Sequence, residues 1–96
     1  MEGKYVIVRG NYSGVFAGIL KERNGQEVTL IDCRRIWYWD GACSLSQLAM
    51  EGVKKPSNCN VSIPVNEIVV LDIIEIIPTT NEAEKIIREV PEWKIK

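Results

Sequence analysis

Asn24-Gly25 lies between two runs rich in β-branched and aliphatic residues, and no other feature restricts the fold of this chain as tightly. An Asn-Gly pair in that setting predicts a hairpin, because a type I′ turn needs positive φ at both central positions and these residues accept it. One strand is expected over Val15–Lys21 and its partner from Glu27 onward. Ahead of them, Lys4–Arg9 has the β-branched and aromatic content of a first strand, with Gly10–Gly14 as the connecting loop. The strand from Glu27 runs on to Trp39, which is long, and Asp32 interrupts its alternation, so a bulge or bend is expected at Asp32-Cys33.

Asp40-Gly41 should end that strand. Ser44 followed three residues later by Gln47 has the form of a capping box, which predicts a short helix over Leu45–Glu51 stopped by Gly52. Residues 53–59 are loop by composition, and Asn60–Ile63 is a brief strand candidate. Glu67–Ile77 is the longest apolar run. Eight Ile, Val and Leu residues bounded by Pro78 favour a strand, either buried on both faces or changing sheet at a bend. Thr79-Thr80-Asn81-Glu82 is a second capping signal, ahead of a helix over Glu82–Glu89, and Trp93 is expected to pack the tail back onto the body. These elements make a single α+β domain over residues 1–96: a small, strongly bent antiparallel sheet or partial barrel with a short central helix and a C-terminal helix.

Composition narrows the chemistry. Histidine is absent, which removes the commonest general acid/base and the commonest zinc ligand. Cys33, Cys43 and Cys59 are odd in number and have nine and fifteen residues between them, matching neither a metal clip nor a disulfide framework. Free, mostly buried thiols are expected, with no metal and no cofactor. The scattered carboxylates Asp32, Asp40, Glu67, Asp72 and Glu75 show no catalytic pairing, although Glu75, within the apolar run, is a candidate for partial burial against an arginine. A net charge of −1 argues against a general nucleic-acid binder. Residues 1–35 nevertheless carry six basic against four acidic groups, so a focused anion site should draw on that half. No signal peptide or apolar span is visible, and a cytoplasmic, non-membrane protein is expected.

The residues that suggest a site are concentrated in Arg34-Arg35-Ile36-Trp37-Tyr38-Trp39, which holds two of the three tryptophans and the only adjacent arginines. On a regular strand Arg35, Trp37 and Trp39 share one face and Arg34, Ile36 and Tyr38 the other. A guanidinium beside two indoles suits a ligand with negative charge and flat rings, nucleotides above all. Arg34 and Arg35 cannot both reach one pocket unless a bulge re-aims one of them; otherwise one serves ligand and the other a neighbouring subunit, or either forms a surface ion pair. The alternative is that both indoles simply fill the core, where such residues contribute most. Gly41, Ala42, Ser44 and Ser46 surround the start of the short helix, whose free N–H groups offer a second phosphate position beyond ordinary capping. Tyr12 and Ser13, with Arg9 before and Phe16 after, form a weaker polar-aromatic cluster around the first loop.

Tyr5-Val6-Ile7-Val8-Arg9, Tyr12-Ser13-Gly14-Val15, Arg34-Arg35-Ile36-Trp37-Tyr38-Trp39, Ser44-Leu45 and the Ile73-to-Pro78 segment together resemble a family of small bacteriophage proteins similar to the phage sponges that sequester cyclic-nucleotide alarm signals of bacterial immunity (anti-CBASS and anti-Thoeris proteins). The resemblance implies a non-enzymatic, homo-oligomeric protein, dimer or tetramer, in the host cell cytoplasm. It also implies tight capture of a cyclic di- or oligonucleotide, or of a cyclic ADP-ribose-type signal, by arginines on phosphates and aromatics on bases. The rival expectation is a small interaction module that binds a host or virion protein through the aromatic strand. A single-strand nucleic-acid binder and a signal-cleaving enzyme are disfavoured by the charge and by the missing histidine.

Overall fold

The structure, a computed structural model, describes residues 1–95. Six strands and two helices follow in the order β1 (Tyr5–Gly10), β2 (Val15–Asn24), β3 (Glu27–Tyr38), α1 (Leu45–Glu51), β4 (Asn60–Val61), β5 (Val65–Val70), β6 (Ile73–Pro78) and α2 (Asn81–Glu89). All strand pairings are antiparallel. β2 lies between β1 and β3, β6 adds to the outer side of β1, and β4 and β5 share the outer side of β3. The domain is thus the expected α+β arrangement, a strongly bent antiparallel sheet that does not close into a barrel.

The hairpin is where Asn24-Gly25 placed it, one residue out of register. Asn24 pairs with Glu27, which makes Gly25 and Gln26 the central pair, and only Gly25 has positive φ, at 65°. That is the demand of a type II′ turn, glycine at the first central position, in place of the expected type I′.

The Asp32-Cys33 bulge is present and decides the layout. Ile19 pairs with Ile31 and Ala17 with Arg34, so Asp32 and Cys33 together face the single residue Gly18. Asp32 takes φ 51°, and a Cβ on Gly18 would stand 3.0 Å from the Ile31 carbonyl oxygen and 3.1 Å from Cys33 Cα. The extra residue reverses the alternation of β3. Before it Val28 and Leu30 point to the concave side of the sheet, where they pack with Val6, Val8, Phe16, Val70 and Ile73; after it Cys33 takes that side. Ile36 takes the convex side, where α1 and α2 cover Tyr5, Ile7 and Ala17 with Leu48, Ala49 and Ile87.

The apolar run 67–77 is two strands. Val70 pairs with Val28 at one edge of the sheet, and three residues later Ile73 pairs with Gly10 of β1 at the other. A change of partner at a bend is what occurs, and burial on both faces does not, since Val69, Leu71 and Ile74 are exposed. The Leu71-Asp72 link can join opposite edges only because the sheet curls through its bulges. Both helix caps form as expected. The Ser44 hydroxyl accepts from Gln47 N–H at 3.1 Å while Gln47 Oε1 accepts from Cys43 N–H at 2.7 Å, and Thr80 Oγ1 accepts from Ala83 N–H at 3.1 Å. The tail returns through Trp93 N–H, which donates to the Val61 carbonyl at 2.9 Å.

Candidate functional site

Ordinary strand alternation puts the two arginines on opposite sides of the sheet, as expected, and the bulge before them decides which side each one takes. Arg34 goes to the helix-covered side and is 3% exposed. Its Nε donates to the Ser62 carbonyl at 2.8 Å, and its terminal nitrogens donate to the carbonyls of Ile87 (2.8 Å) and Val61 (3.4 Å). Ile87 lies in the last turn of α2, whose carbonyls lack helical partners and attract a cation. Burial lowers the Arg34 pKa, opposed by the nearby Tyr5 and Glu92. Arg34 is therefore a clamp within the protomer. Neither the ligand contact nor the subunit contact expected of it fits a buried side chain whose donors go to the backbone carbonyls of Ser62, Ile87, Val61 and, at 3.5 Å, Arg88.

Arg35 goes to the concave side and behaves in the opposite way. Its guanidinium carbon lies 4.8 Å from the centroid of Phe16 and 5.6 Å from that of Trp37, and it has no ion-pair partner among the described residues. Its Nε is buried with no hydrogen-bond partner among them. The backbone beneath is held by Ser62, whose Oγ accepts from Arg35 N–H at 2.8 Å. Beside this side chain opens a hollow of about 270 Å³, walled by Phe16, Cys33, Trp37, Ile63, Val65 and Ile68. A cation kept unpaired between two ring faces, at the mouth of an apolar hollow, is suited to an anion that carries a flat apolar body.

Trp37 is 60% exposed and keeps one side of its indole available. Trp93 stands edge-on to it, ring centroids 6.4 Å apart at 70°, and is itself 54% exposed. The tail therefore docks as expected, but its indole ends beside Trp37 at the rim of the hollow. Trp39 does not join them. β3 ends at Tyr38, the alternation lapses, and Trp39 lies half-buried against the convex-side core around Ile36 and Leu48. The shared face expected for Arg35, Trp37 and Trp39 holds for the first two alone.

The remaining candidates are scattered. Ala42 packs against the convex-side core, and Gly41 is pressed onto the backbone of Lys54 and Lys55, its carbonyl accepting from Lys54 N–H at 3.3 Å. α1 buries Leu48 and Ala49 in that same core, so Ser44 and Ser46 stand across the sheet from Arg35 and cannot form a joint phosphate site with it. Arg9 also faces the convex side and pairs with Glu75, Nε to Oε1 2.9 Å, the arginine partner foreseen for that carboxylate. Tyr12 and Ser13 do approach Arg35, since all three line a second hollow of about 350 Å³. Ser13 is committed there: its Oγ donates to Asp72 Oδ1 at 2.5 Å, and the N–H groups of Tyr12 and Ser13 donate to Asp72 Oδ2 at 2.7 and 3.0 Å. These bonds hold the Asp72 carboxyl below the usual aspartate range. Tyr12, 92% exposed, is unencumbered.

Sequence reasoning missed Ser62, Ile63, Val65 and Ile68, and had Phe16 only as the aromatic neighbour of the Tyr12-Ser13 cluster, without its contact to Arg35. Phe16 pairs with Arg35 across β2–β3, a register visible only once the bulge is counted, and Val65 and Ile68 arrive because β5 pairs with β3. Of the cysteines, Cys33 and Cys59 are buried and Cys43 is exposed. Burial pushes the Cys33 thiol up to about 12 despite the neighbouring Arg35, which makes it an inert wall.

Fold and groove together define a small α+β domain with a cationic, aromatic-lined cleft on the concave side of its sheet. The chain belongs to the family described as Domain of unknown function (DUF6948), whose model matches residues 3–87, so Trp93 lies beyond the matched region. No match is found among curated proteins or among solved structures. No helix among the described residues is long and apolar enough to cross a membrane.

Proposed function

We propose that this protein captures a cyclic nucleotide immune signal, a cyclic di- or oligonucleotide or a cyclic ADP-ribose-type molecule, and withholds it without cleaving it, as a phage-encoded protein acting in the host cytoplasm. The observation that carries the reading is the unpaired Arg35 guanidinium between the rings of Phe16 and Trp37, opening on an apolar hollow. A phosphate on Arg35 gains charge-assisted hydrogen bonds, and a base against Trp37 gains about 1–3 kcal/mol of stacking. Depleting a signal present near micromolar concentration calls for a nanomolar Kd, about −12 kcal/mol. One protomer offers a single free arginine at the groove, so a contribution from a second copy fits the homo-oligomer that the sequence resemblance implies.

The exposed Trp37, Tyr38 and Trp93 favour a second reading, a module that docks a host or virion protein through this rim. One experiment separates the two. The protein is incubated with a panel of cyclic nucleotides, freed of unbound ligand by filtration and heated, and the released material is analysed by chromatography. Sequestration returns one member intact and in stoichiometric amount. Products in place of the ligand mean an enzyme, and no uptake of any member leaves the docking module.

A further inference from the structure

We infer that the Arg35 guanidinium divides one groove into two subsites, so that the ligand is a molecule with two flat rings joined through an anionic group that sits on Arg35. The inference rests on the capture function proposed above and specifies which of its candidate ligands fits.

Two hollows adjoin at this side chain. That of about 270 Å³ lies on the Trp37 side, and that of about 350 Å³ on the side of Tyr12 and Asp72; Phe16, Arg35 and Ile68 line both. Pockets for drug-sized ligands run roughly 300–1,000 Å³. The first hollow falls just short of that range and the second is near its lower end, and the two together lie within it. Arg35 is the only cationic side chain lining either one among the described residues. An anionic group is therefore drawn to the junction and to neither end.

The ends differ in chemistry. The Trp37 end has no charge besides Arg35, and its Ile63 and Val65 walls suit a ring face. The far end carries the Asp72 carboxylate, which repels phosphate and attracts N–H donors. A carboxylate offers about four acceptor positions. Oδ2 accepts from Tyr12 N–H and Ser13 N–H and Oδ1 from the Ser13 hydroxyl, so an N–H of a ligand ring would be accepted at Oδ1, the less occupied oxygen. The same bonds fix the loop backbone, so the exposed Tyr12 ring projects from a held position and can lie over that second ring. A cyclic purine dinucleotide meets these demands: one base at Trp37, one of its two phosphodiesters on Arg35, the other base at Tyr12 and Asp72. A ligand with one base, such as a cyclic mononucleotide or cyclic ADP-ribose, fills one subsite only.

The test is calorimetric titration of the full chain with 3′,5′-cyclic GMP, 3′,5′-cyclic AMP, cyclic ADP-ribose and the cyclic dinucleotides of guanine and adenine. Tyr12→Ala and Trp37→Ala are run alongside; both side chains are exposed, so neither change threatens the fold. At least one cyclic dinucleotide should bind about 10-fold or more tighter than its matching mononucleotide, the equivalent of one stacked base. Tyr12→Ala should weaken dinucleotide binding by more than mononucleotide binding and so remove that advantage, whereas Trp37→Ala should weaken both. Equal affinities, an indifferent Tyr12→Ala, or cyclic ADP-ribose as the tightest ligand would overturn the two-subsite assignment while leaving capture intact. Absence of binding by every probe would overturn capture and the assignment with it.

Discussion

Replacing Arg34 by alanine withdraws the donors from the carbonyls of Ser62, Ile87 and Val61. Charge-assisted bonds to buried acceptors are the costly kind to lose, and about 3 kcal/mol of stability should go with them. For a domain of this size that is a melting temperature lower by roughly 10–20 °C. Arg35→Ala touches no partner of that kind and should shift stability by less than about 1 kcal/mol. Thermal denaturation of the two variants checks the contrast, which equal losses would refute. Titration of the buried acids gives a second residue-scale expectation. Burial raises the Cys33 thiol from 9.0 to about 12 and the Tyr5 phenol from 10.0 to about 12. In both the folded state retains a proton that the unfolded chain releases first. Their stabilising effect is complete below pH 9 and is lost between pH 9 and about 12. Denaturation midpoints measured across that window should fall, and Cys33→Ala should postpone the first part of the decline to above pH 10.

Among the elements, the bulge in β3 carries the most consequence, because it assigns Arg34 to a structural clamp and Arg35 to the groove. Gly18→Val would drive a side chain into the Ile31 carbonyl and Cys33 Cα. Overpacking of that kind costs about 1–3 kcal/mol, and a shift in the denaturant midpoint at unchanged slope would register it. The loop between β1 and β2 has its own dependence on acid. Asp72 is held below its ordinary 3.8 by its hydrogen bonds, so its contribution is present above about pH 4 and disappears as pH falls through the lower folded value. Amide signals of Tyr12 and Ser13 should move on acidification below pH 4, and in Asp72→Ala they should already occupy the low-pH position at neutral pH. Asn24-Gly25, the two helix caps and the interruption at Asp32 were legible in the sequence because each is a local preference for one backbone geometry. The faces of β3 were half legible: the alternation of Arg34, Arg35, Ile36 and Trp37 holds, the strand end at Tyr38 breaks it for Trp39, and which core each face meets depends on the bulge before Arg34. The partition of 67–77 was half legible: its length and Pro78 mark β structure, but only the curl of the sheet makes Leu71-Asp72 a crossing between edges. Phe16, Val65 and Ile68 reach the groove through pairing with β3, which no local signal records.

At the scale of the whole molecule, the helices cover one side of a curled sheet and leave the other to form the groove, so the fold itself separates stability from binding. The accessible surface, 5813 Å², is close to the roughly 5,600 Å² expected of a monomer of this mass. Area alone therefore does not require a partner copy. The proposed homo-oligomer depends on one free arginine per groove, and light scattering with and without ligand should show a dimer or tetramer, whereas a lone protomer in both states would contradict it. The account stands or falls on Arg35 as the anion contact of a ligand-capturing groove. Isothermal titration of the parent and of Arg35→Ala against the cyclic nucleotide panel tests this most directly. A nanomolar Kd for at least one member, weakened 100-fold or more (about 2.7 kcal/mol) in a variant with an unchanged melting curve, is the predicted result; no heat from any member, or equal affinity in the two proteins, would contradict it.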